Sequence, residues 1–236
     1  MKQRGPILIL ICCAALLLSG GPGSAQELKF HTPTEVAREV KKVFSGLNTY
    51  QANFKIVTED GGRSKNMTGR AYYQKPGNVR YDFNNPKGDF IVSNGKILWV
   101  FINRLKAVGK QDLRIKKKDE NGRQIFLAAP RPGLERLFSK YHYIFDGTDQ
   151  PREADGGTYF ILDLEQREKI GGYEKIKLYV DAKTYLIRKA VATDGYGKKS
   201  TITFSDPEIN APLEGKLFRY KPEDNVRVVN NPLVND

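Results

Sequence analysis

Residues 69–101 read GRAYYQKPGNVRYDFNNPKGDFIVSNGKILWVF, and this stretch decides the fold. Val79, Tyr81 and Phe83 alternate with Arg80 and Asp82. Side chains on a strand change face at every residue, so this strand has one apolar and one charged side. Asn94-Gly95 then separates two strand-like runs, Ile91-Val92-Ser93 and Lys96 to Phe101. That residue pair most readily takes the positive φ angles of a two-residue type I′ turn, so the spacing predicts a hairpin. A curved sheet whose apolar side faces a lid or a ligand would make a container.

Outward from this segment the pattern is consistent. Thr34 is placed to cap an amphipathic helix, since Val36, Val40, Val43, Phe44 and Leu47 recur at helical spacing and Gly46 stands near its end. Tyr50, Ala52, Phe54 and Ile56 switch to a period of two, and Gly61-Gly62 breaks that strand. Further strands are expected around 68–74, 78–83, 90–93, 96–102, 141–146, 158–164, 175–180, 187–193, 199–204 and 217–220, punctuated by turns as in an antiparallel barrel or half-barrel. Leu134, Leu137, Phe138 and Tyr141 have helical spacing after Pro130-Arg131-Pro132-Gly133, so a short helix interrupts the sheet there. The turn-rich stretch 146–157 reads as a long loop or a boundary, and one domain over 26–236 is expected.

The N-terminus reads as a cleaved export signal over 1–25. Lys2 and Arg4 precede twelve apolar residues, Ile7 to Leu18, and Gly23 and Ala25 fit the −3 and −1 positions of a cleavage site before Gln26. Twelve is short of the roughly 20 needed to span a bilayer. Cys12 and Cys13 are the two cysteines and both lie inside the signal, so the mature chain would have neither disulfide nor thiol metal site. Ile11 and Cys12, in place of small residues, argue against lipid attachment at either cysteine. Loss of Lys2 and Arg4 lowers the formal charge from +12 to +10. Export argues against a nucleic-acid partner, and the charge fits an anionic membrane surface, an acidic partner or simple solubility.

Catalytic signatures are absent from the sequence. His31 and His142 are the two histidines, one near the mature N-terminus and one between Tyr141 and Tyr143, and both read as structural. There is no G-x-S-x-G elbow, H-E-x-x-H or spaced Cys/His cluster. The Gly197-Lys198 pair lacks the earlier glycine of a phosphate loop and reads as a hairpin turn, and Asp163, Glu165 and Glu168 lack calcium-loop spacing. The expectation is no enzyme, no metal and no cofactor. The basic run Lys110, Arg114, Lys116, Lys117 and Lys118, interleaved by Leu113 and Ile115, reads as a docking edge or as a strand edge guarded by lysine.

The strand pair GRAYYQKPGNVRYDF followed by the hairpin IVSNGKILWVF resembles the periplasmic outer-membrane lipoprotein carrier family (LolA), and the likeness runs from Val36 through 44–54 to the Pro222 region. The resemblance implies an α+β, mainly β fold: a single curved antiparallel sheet forming an unclosed β-barrel under a lid of short helices. It also implies a cavity for acyl chains, lined by Val79, Tyr81, Phe83, Ile91, Trp99 and Phe101 with Phe44 and Leu47 from the helix above. Lys75 stands before Pro76 where the well-known carriers have arginine, and Tyr81 where the family often has tryptophan. Lysine presents a flexible point charge instead of a planar fork, so Lys75 would latch the lid differently. The implied partners are lipoproteins, an inner-membrane ABC transporter and an outer-membrane acceptor, met in the periplasm by a monomer. The other readings are a lipid- or lipoprotein-binding sensor, an anchored acceptor of the same fold, and an exported lipid hydrolase with a site outside the known motifs.

Overall fold

The computed structural model describes residues 30–113, 116–118, 124–126, 133–168 and 172–231. The segment 1–25 read as a signal, with Cys12 and Cys13, lies outside the described residues, as do Arg114, Ile115 and Pro130 to Pro132. The first element is the helix α1 (Pro33–Gly46). Its N-cap is Thr32 instead of Thr34: the Thr32 hydroxyl accepts from the Glu35 amide while the Glu35 carboxylate accepts from the Thr32 amide. Pro33 at the first helical position, where no amide is needed, sets this earlier start.

Strands follow as β1 (Thr49–Asp60), β2 (Arg63–Gln74), β3 (Asn78–Asn85), β4 (Phe90–Asn94), β5 (Ile97–Ile102), β6 (Ala107–Asp112), β7 (Lys116–Lys118) and β8 (Gln124–Phe126). After the helix α2 (Gly133–Lys140) come β9 (Tyr141–Phe145), β10 (Arg152–Ala154), β11 (Gly157–Gln166), β12 (Tyr173–Asp181), β13 (Ile187–Asp194), β14 (Lys199–Ile209) and β15 (Arg227–Asn230). Thirteen strands form one open sheet in the order β10-β11-β12-β13-β14-β1-β2-β3-β4-β5-β6-β15, with β9 also on β11, while β7 and β8 pair separately. The sheet is curved and does not close into a barrel. Its ladders are antiparallel except the last, where β15 runs parallel to β6.

Two local expectations change. Residues 217–220 do not join the sheet: Gly215–Phe218 is a short 3-10 helix, and the segment lies across β3 and β4 with Phe218 buried. Its apolar residues gain burial by packing on a sheet face instead of extending an edge. The β4–β5 hairpin pairs Ser93 with Leu98, so four residues form the loop. Gly95 has φ +79° while Asn94 is absent from the positive-φ residues, which rules out a type I′ turn. Instead Asn94 Oδ1 accepts from the Lys96 and Ile97 amides, and the Ser93 hydroxyl accepts from the Gly95 amide.

One face of the sheet carries the helices. Val36, Ala37 and Val40 of α1 and Phe138 of α2 are buried with Phe160, Leu162, Leu164, Leu178 and Val180 of β11 and β12. The opposite face of that region is ionic. Lys177 sits 2.9 Å from Asp146 and 3.4 Å from Asp163, around a depression of about 510 Å³ that also borders His142, Ile144 and Val191.

Candidate functional site

Register fixes which side chains share the helix-bearing face beyond the core. From β1 outward, direct partners run Ala52 to Ala71, Ala71 to Tyr81, Tyr81 to Ile91, Ile91 to Val100, Val100 to Gly109 and Gly109 to Val229. Every position in this row is apolar or aromatic. Directly opposed residues in neighbouring strands project to the same side, so the row crosses seven strands on one face. Exposure rises along it, from 0% at Ala52 and 5% at Ala71 to 37% at Val100 and 41% at Val229. The helices cover the β9–β12 end; toward β15 the row itself is exposed at Val100 and Val229, while Ser93, Ala107 and Gln111 on the same face are buried.

A parallel row pairs Phe204, Phe54, Gly69 and Phe83. Phe54 is buried, and the rings of Tyr81 and Phe83 meet it edge-on at 5.4 and 5.2 Å. Gly69 makes room for this cluster: a Cβ there would press on the Asp82 carbonyl and stand 2.8 Å from Phe54 Cζ. Tyr50 stands in the next row with its partner Tyr73, its ring 6.4 Å from Phe204 and 6.5 Å from Phe44 of α1. Burial pushes the Tyr50 hydroxyl up to about 12, with the positive Arg188 opposing and Tyr81 adding to the shift. Burial likewise raises Tyr73 and Tyr81. These phenols remain neutral donors at neutral pH, so the surface is oily with a few hydroxyls.

Of the residues expected to line a cavity, Val79, Tyr81, Phe83 and Ile91 share this face. Phe44 packs against the buried cluster of α1, and Leu47, its C-cap, is buried. Trp99 and Phe101 do not join them. Trp99 pairs with Val92 and Phe101 with Phe90, on the face that carries Arg80 and Asp82. There Tyr220 caps them, with ring centroids 4.9 Å from Phe90 and 5.4 Å from Trp99. Arg80 completes this outer cluster, donating to the Leu217 carbonyl at 3.0 Å and lying 5.3 Å over the Phe90 ring. The reason is parity. A loop with an even number of residues pairs odd with even positions, so the partner of Ile91 is Val100 and not Trp99. Phe54, Tyr73, Val100 and Val229 were the missed members of the inner face, and the same counting finds the first three.

Lys75, in the turn between β2 and β3, donates from Nζ to the Ser45 carbonyl at 3.2 Å, within the last turn of α1. The Lys75 amide also donates to the Asn48 carbonyl at 2.8 Å. A cation at a helix C-terminus meets both an unsatisfied carbonyl and the negative end of the helix dipole.

Among the described residues no three His, Cys, Asp or Glu side chains gather as a metal site, and no helix is long and apolar enough to cross a membrane. His31 lies edge-on to Phe160 at 4.7 Å, a packing role. The molecule thus presents an open sheet with an apolar, partly exposed face beneath a capped helix.

Residues 45–221 match the family described as outer membrane lipoprotein carrier protein LolA. The chain belongs to the LolA family. Among its relatives, the outer-membrane lipoprotein carrier protein of Coxiella burnetii is 25% identical over 198 residues, covering 83% of this chain and 87% of that protein. The carrier of Chromobacterium violaceum is 24% identical over 229 residues, covering 97% and 98%. The fold is shared with an uncharacterized conserved protein from Thermus thermophilus, with TM-score 0.55, 15% identity and coverage of 84% of this chain and 98% of that one. This LolA-family chain spans most of the length of these carrier relatives.

Proposed function

We propose that this protein is a periplasmic carrier that shelters the acyl chains of lipoproteins on the helix-bearing face of its open sheet and delivers them from the inner to the outer membrane. The row from Ala52 through Tyr81, Ile91 and Val100 to Val229 carries this reading, because it is apolar throughout and uncovered at its far end. A sixteen-carbon chain in water forfeits roughly 12 kcal/mol relative to hydrocarbon, at about 0.8 kcal/mol per methylene. Membership of the LolA family and relatives named as carriers support the cargo class.

The proposed lining is Val79, Tyr81, Phe83 and Ile91, extended by Phe54, Tyr73 and Val100, with Phe44 and Leu47 at the helix side. Lys75 serves as the latch: its bond to Ser45 holds α1 down in the empty state, and entry of cargo breaks it. Affinity then stays modest, since part of the burial energy is spent on opening. An inner-membrane ABC transporter supplies the cargo, and an outer-membrane acceptor with higher affinity removes it. No covalent step is needed.

The test is mass spectrometry of the organic-solvent extract of protein isolated from the periplasm. Intact acylated lipoprotein is the expected finding. Recovery of free phospholipid alone, or of cleaved fatty acid, would overturn the reading.

A further inference from the structure

At one end of the sheet, three neighbouring segments are tied into a single rim. Asn103, in the 3-10 turn Asn103–Leu105 that joins β5 to β6, donates its amide to Asp89 Oδ1 at 2.8 Å and its side-chain amide to the Lys87 carbonyl at 3.1 Å, both in the β3–β4 turn. Lys106 Nζ donates back to Asn103 Oδ1 at 2.9 Å, and the Arg227 amide opening β15 donates to the Lys106 carbonyl at 2.9 Å. The rim presents Lys87, Arg104, Lys106 and Arg227, all exposed, around Leu105, which is 49% exposed, with Ile102 at 37% beside it. No side chain of the described residues forms an ion pair with Lys87, Arg104 or Arg227. Asp89 is already engaged by Asn103, and the turn before β15 supplies Glu223 and Asp224.

We propose that this rim is a docking surface for an anionic phospholipid membrane, with Leu105 entering the interface and the basic side chains meeting the headgroups. A leucine held at a hairpin tip among cations is poorly matched to water, yet both parts are satisfied at a charged bilayer surface. The apolar tip enters the acyl boundary while each nearby lysine or arginine adds attraction. The formal charge, +12 for the full sequence and +10 without Lys2 and Arg4, gives the chain the long-range sign for this encounter. The four basic residues sit on interlocked backbone segments at the same end of the sheet. The proposal concerns where the protein touches a membrane and stands whatever its cargo is.

Co-sedimentation of the purified protein with phosphatidylcholine vesicles, with and without phosphatidylglycerol, tests it. Binding is expected with the anionic vesicles and is weakened by added salt. The double variant Lys87→Gln/Arg104→Gln removes two charges whose side chains form no hydrogen bond or ion pair with the described residues, and lowers partitioning roughly 30-fold. Leu105→Ala lowers it several-fold. Lys96→Gln/Lys183→Gln removes the same charge from turns at the other end of the sheet and leaves partitioning unchanged. Equal loss in the two double variants, or equal binding to neutral and anionic vesicles, overturns the proposal. Absence of binding to either vesicle also overturns it and leaves an acidic protein as the rim's occupant.

Discussion

Lys75 Nζ stands 3.2 Å from the Ser45 carbonyl, a single cationic bond joining the β2–β3 turn to the last turn of α1. The contact is exposed, so its loss costs stability of only about 0.5–1 kcal/mol. Lys75→Leu is therefore expected to leave the melting temperature within a few degrees of the parent while the amides of the last α1 turn exchange faster. Cargo is expected to load more easily and to be held less selectively. Unaltered exchange and unaltered lipoprotein transfer in this variant would remove the latch role.

Gly69→Ala tests the wall from the other side. A methyl group at this position meets the Asp82 carbonyl and the Phe54 ring, both inside a packed face, and overpacking of this kind costs roughly 1–3 kcal/mol. Phe54→Ala is expected to cost about 3–5 kcal/mol through the lost ring and the cavity it leaves. In the double variant Gly69→Ala/Phe54→Ala the ring clash vanishes but the carbonyl contact stays. Denaturant titration of the three variants should show the double cost falling short of the sum.

Trp99 is the one tryptophan of the chain, and it faces Tyr220 on the sheet's outer side. Its fluorescence consequently reports on the C-terminal segment and not on cargo. Tyr220→Ala is expected to shift the emission to the red, whereas addition of an acyl ligand leaves the maximum where it was. A large ligand-induced shift would place Trp99 on the loading path, against the register of β4 and β5.

Acid stability has a definite contributor in Asp146. Hydrogen bonds from Lys177 and then Arg152 hold its carboxyl below the usual range. A carboxylate depressed in the folded state contributes stability above its unfolded pKa and loses it as pH falls through the lower, folded one. Asp146→Asn is expected to flatten the fall in stability over that acidic window and to lower stability at neutral pH, read from melting curves at several pH values.

Most of the β3 wall was legible because Val79, Tyr81 and Phe83 alternate cleanly with Arg80 and Asp82, and the register keeps the two sets apart. The same logic, carried across the loop after Asn94, separates Trp99 from Ile91, whereas the family resemblance placed both on one wall. The segment 217–220 alternates like a strand but packs as a strap, since period alone does not distinguish a ladder from a chain lying on a face. The short edge strand β15 follows the turn-forming Pro222-Glu223-Asp224-Asn225 but pairs in parallel with a distant strand, so only tertiary contact reveals its place. The helix start was written in Thr32-Pro33-Thr34-Glu35, where a capping box outranks a nearer threonine.

The first strand of the fold holds a central place in the sheet, between β2 and β14, and Tyr50 lies opposite Ile209. Its hairpin with β2 can form early, but its other edge waits for a partner that emerges some 150 residues later. Pairings so distant in sequence are slow to form. A chain crossing a membrane from its N-terminus would thus remain half-zipped until nearly all of it had passed, and any premature stop before Lys199 would leave β1 as a bare, sticky margin.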